Sequence, residues 1–271
     1  MRPLRPLAFA VVGGLVVAGT FLALGITGRR STQTVVEQGP LAAQPVASSS
    51  RGLTPHALYE RDAPGVVFIR ARARRRVQGP FELRAAGSQG ISTGSGFLLN
   101  GAGDILTTYD VVAGADADDG VTVHMGDGPA IHAALLGSEP SEDLAVLKVR
   151  PGSLSGVSPL PLGDSTTVRV GDPALAIGNP FGSERTLSSG IVSALQTELP
   201  GPGGTTISNV IETQMPVYPG SSGGPLLDAG GRVIGVNSQM RTVSGRVPGE
   251  TAFAIPIDTA KVLVDRVVAG R

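Results

Sequence analysis

The sequence has no cysteine and no tryptophan, and only 4% of its residues are aromatic. Without a thiol the chain can form no disulfide, no zinc–thiolate centre and no cysteine nucleophile. Charge is scarce as well: 16% of residues are charged, and 22 basic side chains balance 22 acidic ones. That balance excludes the cationic footprint of a nucleic-acid binder, and the low charge density excludes a charge-driven disordered chain. Lysine is nearly absent, since Lys148 and Lys261 are the only two. What is abundant is glycine, with 39 residues, and proline, with 21. Turn formers at that frequency favour many short strands over long helices. A length of 271 residues allows one large domain or two small ones with a sizeable core.

Residues 1–30 read as a segment apart from the domain. Pro6 to Gly28 is an uncharged, largely apolar run, preceded by Arg2 and Arg5 and followed by Arg29 and Arg30. It exceeds the ~20 residues that span a bilayer as a helix, which points to a single-pass transmembrane anchor. A cleaved signal peptide is the alternative, although its apolar core is usually only ~7–15 residues and no clear small-x-small site closes this run. The near-symmetric arginines barely orient it. Residues 31–53 are rich in Ser, Ala, Gln and Pro and read as a flexible linker, leaving the domain on the extracytoplasmic side.

From Thr54 onward the pattern is regular. A helical lead-in, PHALYERDAP, precedes the apolar run Gly65–Ile69. Further strand-like runs follow at GSGFLLN, GDILTTYDVV, VTVHM, IHAALLG and DLAVLKV, then at PALAIG, SSGIVSAL, SNVIETQ, GGPLLD, GRVIGVNSQ and TAFAIPI. Gly, Pro, Asn or Asp separates most of them, the signature of a sandwich or barrel. A Pro/Gly/Ser stretch at 151–164 divides the runs into two six-strand-like halves. Only IDTAKVLVDRVVAG has helical spacing, through Ala260, Val262, Leu263 and Val267. Arg70, Arg72, Arg74, Arg75 and Arg76, read as lying after the first strand, suit a solvated face and loop, with contact to anionic lipid as the alternative. Asp116–Gly120 lacks the ligand spacing of a calcium loop and reads as a polar turn. No metal-ligand set or cofactor motif is present.

The sharpest local feature is Tyr218-Pro219-Gly220-Ser221-Ser222-Gly223-Gly224-Pro225-Leu226. Glycines on both sides of a serine let the backbone bend sharply and turn successive N–H groups toward one point. An acyl-transfer enzyme needs that geometry to hold a developing oxyanion beside a nucleophilic hydroxyl. A plain Gly-rich turn would read the same way.

The order of GSGFLLNGAGDILTTYDVV, SEDLAVLKV, GDPALAIGNPFG, LSSGIVSAL, PGSSGGPLLDAGGRVIGVNS and FAIPID resembles the HtrA/DegP-like branch of the trypsin-type serine proteases, over about residues 55–260. The resemblance implies an all-β, chymotrypsin-like fold of two antiparallel six-stranded barrels with a crevice between them. Barrel one would cover about 54–150, barrel two about 160–258, and a short C-terminal helix 258–269, all within a protease domain at 54–271. It implies Ser222 as nucleophile, the N–H groups of Gly220 and Ser222 as oxyanion hole, Asp143 as triad aspartate, and Val217 and Tyr218 beside the substrate pocket. It also leaves a homotrimer open, and where the family continues past the FAIPID segment into PDZ domains, the expectation here is a protease domain without them.

One position breaks the pattern. The family strand leading to the general base reads like ILTNAHVV, whereas Ile105–Val112 reads ILTTYDVV, placing Asp110 at the histidine position without a gap. The chain's three histidines, His56, His124 and His132, lie elsewhere. An imidazole with a pKa near ~6.5 can take the serine proton and pass it to the leaving amine, while a carboxylate near ~3.9 is a far weaker base. The sequence therefore points to a membrane-anchored pseudoprotease that binds peptides or unfolded protein. The alternatives are an active serine endopeptidase with an atypical base, and a structural subunit.

Overall fold

The apolar runs become strands because each buries at least one face in a core. The computed structural model describes residues 53–72, 90–115, 120–126, 128–153, 156–182, 184–201, 204–216, 218–238 and 251–269. Strands β1 (Val66–Arg72), β2 (Ile91–Leu98), β3 (Asp104–Thr107), β4 (Val121–His124), β5 (Ile131–Glu139) and β6 (Leu144–Lys148) close into a barrel in the order β1-β2-β3-β6-β5-β4. Strands β7 (Pro173–Gly178), β8 (Thr186–Pro200), β9 (Thr206–Gln214), β10 (Pro225–Leu227), β11 (Val233–Ser238) and β12 (Thr251–Pro256) close a second, in the order β10-β11-β12-β9-β8-β7. Every pairing of strands within the two barrels is antiparallel. The expected two-barrel, six-by-six architecture is the one observed.

Alternation along each strand sorts its residues between cores. On β6, Ala145 and Leu147 join a cluster confined to barrel one, which includes Ile69, Val121, Val123 and Ala133. Leu144 and Val146 face the other way, into the largest cluster, where Phe97 and Leu106 of barrel one meet Leu175, Ile177, Val236 and Ile255 of barrel two. A third cluster, with Ala176, Val192, Leu226 and Ala254, belongs to barrel two alone. The shared cluster makes the two barrels one packing unit.

Two helices seal it. Helix α1 (Pro55–Asp62) starts where the Thr54 side-chain oxygen accepts the Ala57 N–H at 3.2 Å, with Pro55 in a first-turn position that needs no intrahelical N–H. Its Leu58 enters the shared cluster. At the other end, α3 (Ile257–Ala269) buries Ile257, Ala260 and Leu263 in that cluster. Val267 packs where a side chain on Gly137 of β5 would collide with it, and Arg266 reaches Glu139 of β5 at 3.1 Å. Thus α3 leaves barrel two and lies against barrel one.

Several sequence-based expectations change in detail. The run GDILTTYDVV is not one strand: β3 stops at Thr107, and Tyr109–Val112 form a single helical turn, α2. The reason is where the donors go, because Tyr109 N–H bonds the Asp143 carbonyl at 3.1 Å and Asp110 N–H bonds its carboxylate, rather than a neighbouring strand. Arg70 and Arg72 lie within β1 rather than after it; Arg74, Arg75 and Arg76 lie outside the described residues. Val262 is 60% exposed and does not belong to the buried stripe of α3. The anchor expected at 1–30, the linker up to residue 52 and Asp116–Asp119 lie outside the described residues. Among the described residues, no helix is long and apolar enough to cross a membrane.

Phe97 is wholly buried in the shared cluster, so Phe97→Ala is expected to cost about 3–5 kcal/mol. Urea unfolding followed by circular dichroism should show one earlier transition for both barrels. Two separated transitions would mean that the cluster does not couple them.

Candidate active site

The serine turn joins β9 to β10 and is built around two residues that must be glycine. Gly220 has φ +92° and Gly223 φ +86°. A Cβ on Gly220 would sit 2.8 Å from the Pro180 Cα, and one on Gly223 would run into the Ser95 carbonyl and the Thr107 hydroxyl. The turn is pinned from within: Ser221 N–H donates to the Tyr218 carbonyl at 3.0 Å, and Gly224 N–H to the Ser221 carbonyl at 3.0 Å. It is pinned to β11 as well, where Gly223 N–H donates to Asn237 O at 2.7 Å and Asn237 N–H returns to Gly224 O at 2.8 Å. Barrel one reaches it through Ser95 of β2, whose N–H donates to the Ser222 carbonyl at 2.8 Å and whose hydroxyl donates to the Gly220 carbonyl at 2.7 Å. Ser221 and Ser222 are both buried.

Asp143 sits at the corner before β6, in left-handed backbone with φ 51°. Its side chain is buried, and each carboxylate oxygen has a donor: Asp110 N–H reaches Oδ1 at 2.8 Å and the Ser238 hydroxyl reaches Oδ2 at 2.9 Å. Burial pushes the Asp143 carboxyl up to about 7; the Asp110 and Ser238 bonds oppose that rise, and the Asp110 charge adds to it. Asp110 itself, on α2, is raised above the ordinary carboxylate range by its own burial. The fold therefore holds two carboxyl groups together, and Asp143 is served by neutral donors.

The structure thus brings Asp110 and Asp143 together, and frames Ser222 and Gly220 in one turn. Tyr218 stands at the start of that turn, half exposed, while Val217 lies outside the described residues. The histidines are on other elements: His56 on α1, His124 on β4 with its ring 5.7 Å from Phe68, and His132 on β5. Sequence reasoning missed Ser238, Ser95 and Thr107, whose hydroxyl holds the Ser95 carbonyl at 2.7 Å. A signal for Ser95 was present, because a strand serine between two glycines marks a close approach of backbone.

The pair has a consequence for stability. A carboxyl group raised in the folded state holds its proton between its unfolded value near 3.8 and about 7, so folding takes up a proton in that window. Stability should therefore rise as pH falls through about 7, and decline as pH rises. Thermal melts from about pH 5 to pH 8 are expected to show this slope, and Asp143→Asn to remove most of it. A wild-type melting temperature that climbs with pH across the window would contradict the assignment.

Comparison with known proteins agrees with this architecture. A family model described as "Trypsin-like peptidase domain" matches residues 94–236. The chain is 37% identical over 212 residues to Protease Do-like 1, chloroplastic, of Arabidopsis thaliana, covering 78% of this chain and 46% of that protein. It is 45% identical over 169 residues to a probable periplasmic serine endoprotease DegP-like of Hahella chejuensis, covering 62% of this chain and 34% of that one. The chain therefore spans less than half the length of each of these two relatives. Among solved structures it is similar to the HtrA-type protease AlgW with tripeptide, with TM-score 0.64 and 34% identity over 81% of this chain and 65% of that one. The crystal structure of Deg5 gives TM-score 0.60 and 34% identity, covering 79% of this chain and 93% of that chain. A family match across more than half of the sequence, on the same two-barrel fold, makes this chain a member of the trypsin-like peptidase family, of its HtrA type.

Proposed function

We propose that this chain is an extracytoplasmic HtrA-type peptidase homologue that holds peptides or unfolded protein in its cleft and turns them over poorly. Ser222 takes the nucleophile position, Asp143 the triad carboxylate, and Asp110 the place of the general-base imidazole. The Gly220 and Ser222 N–H groups form the oxyanion hole, and Val217 and Tyr218 border the substrate. One observation carries the reading: Asp110 N–H bonds the buried Asp143 carboxylate at 2.8 Å. Position 110 is thus tied to the triad carboxylate through its backbone while presenting a carboxyl side chain where a base is needed.

The chemistry follows from that side chain. Attack by Ser222 requires its hydroxyl proton to leave and later to reach the departing amine. A neutral imidazole does both near pH 7, oriented and stabilised by the adjacent carboxylate. A second carboxylate offers neither a matched pKa nor a favourable charge, because ionising it beside Asp143 sets like charges together. Loss of the histidine from a comparable triad costs on the order of 10⁶ in turnover, leaving binding and oxyanion stabilisation. A probable periplasmic DegP-like relative and the peptide-bound AlgW structure support the location and the ligand class. We include in the proposal an anchor at 1–30, a linker at 31–53, the protease domain at 54–271 and assembly as a homotrimer.

A second reading has its own support. Burial raises Asp110 above the ordinary carboxylate range, which makes it a better proton acceptor than a free carboxylate. In that case Asp110 itself is the base of an active endopeptidase.

Asp110→His separates the two. On the first reading, wild type is nearly inert toward unfolded casein. Asp110→His gains cleavage by supplying an imidazole beside Asp143, and Asp110→His with Ser222→Ala is silent again. Wild-type cleavage at a rate matching the His variant, lost in Ser222→Ala, would establish the second reading instead.

A further inference from the structure

Ser95 belongs to barrel one, yet its side chain and its N–H both engage the serine turn of barrel two. It is wholly buried. Its hydroxyl accepts the Asn179 N–H at 2.8 Å and donates to the Gly220 carbonyl at 2.7 Å, so the Asn179 bond leaves the hydroxyl proton aimed at Gly220. Its N–H donates to the Ser222 carbonyl at 2.8 Å. Its own carbonyl is held by the Thr107 hydroxyl at 2.7 Å, which ties β2 to β3 beneath the contact.

The two carbonyls that Ser95 binds lie in the Gly220–Ser221 and Ser222–Gly223 peptides. Between them sits the Ser221–Ser222 peptide, which carries the Ser222 N–H. Peptide units are planar, so a chain moves only by rotation about its Cα atoms. With both outer planes fixed, the middle plane keeps little freedom. The Gly220–Ser221 plane also shares the Gly220 Cα with the peptide that carries the Gly220 N–H. Gly220 has φ +92° and no Cβ, so no side chain restrains this joint. A hydrogen bond to its carbonyl supplies the restraint that its missing side chain cannot.

We propose that Ser95 is a positioning residue whose hydroxyl holds the Gly220 peptide, so that the Gly220 and Ser222 N–H groups keep a common aim on an oxyanion. The inference rests on the serine-peptidase reading of the turn. It is independent of the residue at position 110, since Ser95 reaches the turn from β2. Donors act on a developing charge only when they are fixed beforehand, and losing one costs about 10²–10³ in turnover. A donor left in place but loosely aimed should cost less than one removed.

The test uses the full chain carrying Asp110→His, with casein as substrate. Adding Ser95→Ala is expected to lower kcat by roughly 10- to 100-fold while KM stays within about twofold, because the oxyanion forms only in the transition state. Ser95→Thr, which keeps the hydroxyl, should recover most of kcat. Ser95→Gly repeats the loss without adding a contact, should alanine disturb the packing. An unchanged kcat, a loss seen only in KM, or a Thr variant no better than Ala would overturn the proposal. If the Asp110→His chain shows no Ser222-dependent turnover, that outcome counts against the functional reading. The positioning role is then decided on the wild-type full chain by amide NMR. The Gly220 and Ser222 cross-peaks should shift or broaden in Ser95→Ala and return in Ser95→Thr, and peaks that stay in place would overturn it.

Discussion

The structure depends on a seam where the backbone of one barrel meets the backbone of the other. Strand β2 of barrel one lies against the serine turn of barrel two so closely that neither Gly94 nor Gly223 has room for a Cβ, and the short Ser95 side chain bonds the turn directly. A Cβ on Gly94 would press on Val111 and come within 3.0 Å of the Ser222 carbonyl. The Gly223 position is blocked from the opposite direction by Ser95 and Thr107. Contacts between main chains are fixed in length and direction by hydrogen-bond geometry, so this seam sets the position of the turn more tightly than apolar packing would. The shared cluster of Phe97, Leu106, Ile177 and Ile255 holds the barrels together; the seam fixes how they are registered.

Much of this was legible in the sequence, and the limits have physical causes. Short apolar runs between turn formers gave the strands, because alternation is a local property that survives in one dimension. The Pro/Gly/Ser stretch at 151–164 lies between β6 and β7. Ser222, Asp143 and Asp110 stood out because their flanking segments resembled a known family in order. By contrast, Ser238 and Ser95 act on residues 95 and 125 positions away. Ser238 lies in an ordinary strand with no local mark of such a partner, and the glycines flanking Ser95 mark a close backbone approach without showing what it meets. The run through Tyr109 to Val112 looked like strand, since nothing in its composition shows that Asp143 captures its N–H groups. The exposure of Val262 was hidden for a similar reason: spacing alone does not say how wide a stripe the neighbours will cover.

Two buried aspartates show how the same side chain is treated differently. Asp104 is 1% exposed and receives Lys148 at 2.8 Å together with the Asn100 amide at 2.8 Å, so its charge has a cation and a donor. Asp143 is 2% exposed and receives a backbone N–H and a hydroxyl, with a second carboxyl group on the adjacent helical turn. The first arrangement sets an opposite charge beside the carboxylate, while burial raises the Asp143 carboxyl toward neutrality. In a triad with imidazole, the ring would offer a cation at the moment of proton transfer. Under the proposed assignment of position 110 to the base, an aspartate there withdraws that compensation while leaving the surrounding hydrogen bonds in place.

The closing helix also carries a temporal consequence. Helix α3 follows both barrels in the chain, yet it fills the cluster they share and reaches Gly137 and Glu139 of β5. A ribosome delivers this segment after the twelve described strands, and domains fold largely in the order of their synthesis. Barrel one can close while its face toward α3 is still bare, with Leu144 and Val146 beneath it awaiting the last apolar partners. Final docking of α3 therefore completes the cluster that the barrels share, and a nascent chain halted before Ile257 presents an apolar surface to whatever holds it at the exit from the cell's synthesis machinery.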